Sequence, residues 1–163
     1  MKPLMRALAL SGLLALAAGS ASAAVTVTYI QPDKFYDLPF SPRDREEMLA
    51  QLSDIFQDLG KSLPPGQDLQ IEVTDFDPAG RIYPGARNGQ DIRVVKGGAD
   101  WPRMELRYVL TQNGQEIKRG EAKLADMNYQ QRSPRYSDSE PLHYERRMIE
   151  DWFEKTFGPI QRR

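Results

Sequence analysis

Apolar and polar positions along this chain fall into three kinds of pattern. Residues 7–18 (ALALSGLLALAA) form one nearly unbroken apolar run. Elsewhere the period is two. Residues 25–30 (VTVTYI) alternate, and Leu69, Ile71 and Val73 alternate with Gln70, Glu72 and Thr74. Met104, Leu106, Tyr108 and Leu110 alternate with Glu105, Arg107, Val109 and Thr111. Such alternation predicts strands with one apolar face. Residues 91–96 (DIRVVK) predict a weaker strand, and a last one runs from Asn113-Gly114 to near Leu124. Two stretches have a helical period instead. Met48, Leu49, Leu52, Ile55, Phe56 and Leu59 advance in steps that keep to one helical face, as do Leu142, Ile149, Trp152, Phe153 and Phe157.

The ends of these elements are marked. Ser41 suits the cap of the first helix, Pro42 its first position, and Asp44, Glu46 and Glu47 its positive dipole end. Gly60 is a candidate stop for that helix, and Gly158-Pro159 for the second. In the hairpin at Asn113-Gly114, a two-residue turn would set Leu106 opposite Glu121 and Tyr108 opposite Arg119, charge against the apolar face. A three-residue loop with Gly114 left-handed in a bulge sets Leu106 opposite Gly120 and Met104 opposite Ala122. It also gathers Glu105, Arg107, Arg119, Glu121 and Lys123 on the other face, so this register is the expected one.

Strands with one polar face and helices with one apolar stripe pack most economically as two layers. The expected fold is therefore α+β: a two-layer sandwich of a mixed, mostly antiparallel five-stranded sheet with two helices on one face, in the order β-α-β-β-β-β-α.

The apolar run at the start changes the picture of where the chain goes. Lys2 and Arg6 precede it, and Ala21-Ser22-Ala23 follows with the small-x-small spacing a signal peptidase accepts. About a dozen apolar residues are too few to span a bilayer, which takes about 20. Residues 1–23 thus read as a cleaved signal peptide, and residues 24–163 as a single globular domain delivered to the periplasm or secreted. The chain has no cysteine, so neither disulfides nor a lipidated cysteine anchor enters. The formal charge is −1, with 22 basic against 23 acidic residues, and two of the basic ones lie in the leader. An acidic remainder argues against a general nucleic-acid binder.

Several stretches resemble a known family of small exported bacterial proteins, the domain of unknown function 3016. They are VTVTYIQPDKFYD (25–37), LPPGQDLQIEVTDFDPAGRI (63–82), WPRMELRYVL (101–110), GEAKLADMNY (120–129) and YERRMIEDWFEKTFG (144–158). The resemblance covers nearly the whole chain after the leader and implies no established activity, ligand or catalytic residue. Pro78 departs from it, standing where an aliphatic residue is expected, and would stiffen the turn after the second strand.

Candidate chemistry is sparse. Asp75 and Asp77, two apart at a strand end, can point to one side, and Asp126 follows the last strand; three carboxylates could hold Ca²⁺ or Mg²⁺. Each could equally bond the backbone of its own turn. His143, the sole histidine, precedes Glu145, with Arg147 at helical spacing. It reads as a first-turn cap or a solvated side chain, with a general base as the alternative. No Gly-x-Ser-x-Gly elbow or thiol nucleophile is present. Two long loops are richer: residues 77–90 carry Arg81, Tyr83 and Arg87, and residues 126–139 carry Tyr129, Arg132, Arg135 and Tyr136. Guanidinium forks beside tyrosine faces suit phosphates, carboxylates, sugars or a partner protein. The residues therefore favour a non-catalytic binding or adaptor domain of the cell envelope, without a cofactor, whose partner is an envelope protein or an anionic envelope ligand. The alternative is a periplasmic enzyme built on Asp75, Asp77 and Asp126, with or without a divalent metal.

Overall fold

The computed structural model describes residues 23–87, 90–137 and 139–161. The expected leader lies, apart from Ala23, outside the described residues. The elements in chain order are β1 (Ala24–Tyr29), α1 (Pro42–Gly60), β2 (Gln67–Asp77), β3 (Arg81–Arg87), β4 (Gln90–Val94), β5 (Arg103–Gln112), β6 (Gln115–Ala125) and α2 (His143–Phe157). A single 3-10 turn, Pro32–Lys34, lies between β1 and α1.

The main sheet has four strands in the order β1-β2-β5-β6, not five. β1 runs parallel to β2, and the other two pairings are antiparallel. The strand expected at 91–96 is β4, and it pairs with β3 in a separate two-stranded ribbon. β2 and β5 exclude it from the sheet because their apolar positions match directly, Leu69 with Leu110 and Val73 with Leu106. β4 offers only Ile92 and Val94 in competition. β3 falls within the segment expected to be a loop. Pro84 and Gly85 break its alternation, and its register against β4 shifts between Tyr83 and Arg87.

The β5–β6 hairpin corrects a second expectation. Asn113 and Gly114 form a two-residue turn, both left-handed with φ of 51° and 81°. The extra residue is Ile117, bulged one step later, between Glu116 opposite Thr111 and Lys118 opposite Leu110. Leu106 therefore faces Ala122, Met104 faces Leu124, and Gly120 faces Tyr108. The expected register was off by two residues, which preserves every side chain's face. Tyr108 explains the placing of the glycine: a Cβ at position 120 would stand 2.8 Å from its hydroxyl. Its ring instead makes edge contacts with Trp152 and Phe157 at 5.7 and 5.3 Å.

Both helices cover one face of the sheet, as their stripes required. Ser41 caps α1, accepting the Asp44 amide at 3.4 Å, and Pro42 takes the first position. Leu52, Ile55 and Phe56 of α1 and Ile149 and Phe153 of α2 join Leu69, Ile71, Val73, Met104 and Leu106 in one buried core. A bulge at Thr74 in β2 re-aims the strand end: Phe76 turns into the core and Asp75 and Asp77 fall on the opposite side. No helix among the described residues is long and apolar enough to cross a membrane.

Candidate functional site

The end of β6 delivers the chain to a long segment that runs back to α2. Asp126 anchors its start, accepting the Asn128 amide at 3.2 Å and the Arg132 guanidinium at 2.8 Å. Arg132 also reaches Asp151 on α2 at 2.6 Å. The Tyr129 hydroxyl donates to Asp100 at 2.8 Å, and its ring meets Tyr144 edge-on at 4.8 Å. Further along, Arg135 pairs with buried Glu150 at 2.9 Å, and the Tyr136 hydroxyl donates to the same carboxylate. Arg146 lies over the Tyr136 ring at 5.5 Å, and Arg147 donates to the Ser133 carbonyl. The segment is thus strapped to α2 by side chains, though its described residues hold no helix or strand.

Between strap and helix lies a cleft of about 390 Å³. Arg132, Arg135 and Tyr136 line it from the strap, and His143, Tyr144 and Arg147 from the first turns of α2. Among the described residues, no aspartate or glutamate lines it. Two other hollows differ in this respect. One of about 490 Å³ has Asp75 and Glu105 beside Arg103 and Lys123, and one of about 400 Å³ has Glu72 and Glu121 beside Arg107 and Arg119. Those surfaces carry carboxylates in their lining, whereas the carboxylates that pair with Arg132 and Arg135, Asp126, Asp151 and Glu150, are not among the described lining residues of the cleft.

Its electrostatics are uneven. Arg132 and Arg135 already have carboxylate partners. Arg147 has none among the described residues, and its Nε is buried without a hydrogen bond. The Nε2 of His143 is likewise buried and unpaired, while its Nδ1 sits 3.0 Å from the Glu140 carbonyl. α2 starts here with Leu142 as its N-cap and no capping side chain, so the positive end of its dipole adds to the field. Burial pushes the Tyr136 phenol up to about 12, helped by its hydrogen bond to Glu150 and that group's charge, so it stays a donor. Buried polar atoms without partners are rare, and each calls for an explanation such as an ion or water.

Of the residues singled out in the sequence, Tyr129, Arg132, Arg135 and Tyr136 come together in this cleft. Arg81, Tyr83 and Arg87 do not line it. They lie exposed on β3, where Lys96 donates to the Tyr83 hydroxyl at 3.3 Å. The root of their ribbon nonetheless adjoins α2: Ala79 and Arg93 both bond Glu145 in its first turn. Asp77 is engaged by Arg103 and Asp126 by Arg132. Burial raises the Asp75 carboxyl, a bond from the Phe76 amide opposes this, and the charges of Glu105 and Asp77 add to the rise. Among the described residues no three His, Asp or Glu side chains are grouped so as to hold a metal ion. In the sequence Arg147 stands out only for its helical spacing from His143, and His143 itself reads as a cap or solvated side chain, with a general base as the alternative. Their spacing of four, one helical turn, was the available signal.

The model of the family described as "Protein of unknown function (DUF3016)" matches residues 23–155. The chain belongs to this family. The match spans the whole strapped cleft as far as Lys155, with all six strands and most of α2. No curated protein and no solved structure matches the chain.

Proposed function

We propose that this member of the family is an exported, non-catalytic binding or adaptor domain of the cell envelope, a single globular domain after a leader at residues 1–23, that receives an anionic ligand or partner group in the cleft. The observation that carries this reading is a concave surface lined by Arg132, Arg135, His143 and Arg147, with no carboxylate among its described lining residues. Guanidinium forks with tyrosine faces bind flat oxyanions through paired donors. The opposing reading, an enzyme built on Asp75, Asp77 and Asp126, has less support, because two of the three carboxylates are taken up by arginines.

Titration of the chain with inorganic phosphate, followed by the aromatic proton resonances of Tyr136 and Tyr144, tests the cleft. Saturable shifts in the wild type and their loss in Arg147→Gln are expected. Shifts of equal size in both proteins would overturn the assignment. Export is tested separately by the intact mass of protein recovered from the periplasm, which should begin at Ala24.

A further inference from the structure

We infer that Asp68 is the docking site for the α-ammonium that leader removal creates at Ala24, so that processing itself fastens the first strand to the sheet. The inference rests on the reading of residues 1–23 as a cleaved leader and adds what the fold does with the end that the cut exposes. The Ala24 nitrogen lies 3.1 Å from Oδ1 of Asp68, and the two residues are partners at the first step of the parallel β1–β2 ladder. In the uncut chain that nitrogen is an amide with one N–H to give. Hydrolysis adds water across the Ala23–Ala24 bond. The Ala23 carbonyl leaves as a carboxylate, and the Ala24 nitrogen becomes a primary amine. Such an amine is protonated at neutral pH, since its ordinary value is about 7.7–8.0. The same atom, at the same place in the strand, then carries a positive charge and faces a carboxylate.

The surroundings of Asp68 single it out. On the face of the sheet away from the helices, Glu72 pairs with Arg107 at 3.6 Å, Glu105 with Lys123 at 2.7 Å, and Glu116 with Arg119. Asp68 shares that face, between Ala24 on β1 and Thr111 on β5. Among the described residues no lysine or arginine pairs with it. β1 carries no basic side chain; its polar positions on this face are Thr26 and Thr28. The new terminus supplies the cation that the side chains do not. A charged donor makes a hydrogen bond shorter and roughly twice as strong as a neutral one. Both partners are exposed, so the gain is that of a surface ion pair, modest and screened by salt. It falls at a sensitive place. β1 is an edge strand held in the sheet through β2 alone, and chain ends are where such strands fray first.

The test uses the chain recovered from the periplasm and its Nα-acetylated form, each with and without Asp68→Asn. Acetylation keeps an N–H at Ala24, restores the carbonyl before it and removes the charge. Hydrogen exchange of the amides from Thr26 to Tyr29 is followed by NMR at about pH 6.5, where an ordinary α-amine is charged, with β5 amides as internal reference. Acetylation is expected to speed exchange in β1 about threefold, the size an exposed ion pair supports, and to have no further effect once Asp68→Asn is in place. In about 1 M sodium chloride, where screening acts over about 3 Å, the difference should shrink. Equal exchange in the two forms overturns the inference, as does an undiminished effect of acetylation alongside Asp68→Asn; the leader reading stands in both cases. If the recovered chain starts anywhere other than Ala24, the leader reading and the inference fall together.

Discussion

Arg93 on β4 and Glu145 on the first turn of α2 are joined at 2.5 Å through a single carboxylate oxygen, Oε1, which also accepts the Ala79 amide at 2.7 Å. Arg93 returns a second bond to the Ala79 carbonyl. The carboxylate is 1% exposed, and its other oxygen has no partner. This triangle fastens the ribbon to the sandwich. Glu145→Leu leaves a guanidinium and a buried amide unmatched and should cost about 3 kcal/mol. Glu145→Gln keeps an acceptor in place and should cost about 1 kcal/mol or less. Denaturant unfolding of both variants checks the order, and amide exchange in β3 and β4 should rise more in the leucine variant.

Gly60→Ala reverses the usual expectation for a helix. Alanine is favoured over glycine in a helix interior by about 1 kcal/mol. Here a methyl group would run into Cγ2 of Val25 on β1, which packs over the end of α1. Overpacking of this kind costs about 1–3 kcal/mol. A net loss of stability on thermal unfolding is expected, and Val25→Ala combined with Gly60→Ala should recover part of it.

Alkaline pH should loosen the fold through its tyrosines. Burial, offset in part by Ser53 and assisted by the charge of Asp54, pushes Tyr29 up to about 12; burial and Glu150 do the same for Tyr136. Burial and the bond to Asp100 raise Tyr129 further. A phenol whose value is raised in the folded state favours the protonated form. Its contribution to stability is present below the ordinary value of 10.0 and is lost as pH rises towards about 12. Ultraviolet titration of the seven tyrosines should show a late-ionising group that merges with the rest once the protein is unfolded in urea.

Charge reversal separates the two arginine sets. Arg81→Glu and Arg87→Glu lie on the exposed ribbon and should change stability by no more than about 0.5 kcal/mol. Arg135→Glu would set a carboxylate against Glu150, whose side chain is 5% exposed, and should cost about 3 kcal/mol. Equal, small effects in chemical denaturation would show that the strap contributes nothing to the fold.

The contrast between the two sets shows what could be read beforehand. Helical stripes and two-residue alternation marked both helices and the strands that carry a full apolar face, because burial imposes those periods. β3 carries no such face; it lies in a stretch, 77–90, that reads as a loop, and only pairing with β4 makes it a strand. The hairpin register came out two residues away because two devices, the turn at Asn113-Gly114 and the bulge at Ile117, sit close together. Arg132, Arg135 and Tyr136 were visible as a chemical type. Their partners Glu150 and Asp151 belong to a helix more than a dozen residues on, and nothing local announces such a pairing. His143 and Arg147 were visible as helix residues, but the strap that closes a cleft over them was not.

β1 touches the sheet only through β2, in parallel, with Ala24 bonded to Asp68 some 44 positions later. The consequence is one of timing. β5 and β6 can zip locally about their two-residue turn, and β2 can add to them along ten register pairs. β1 must wait for the whole of α1 and a long loop closure before it has a neighbour. Among the described strands β1 is the first to be made, and it stays without a neighbour until β2, 44 positions later, has followed it.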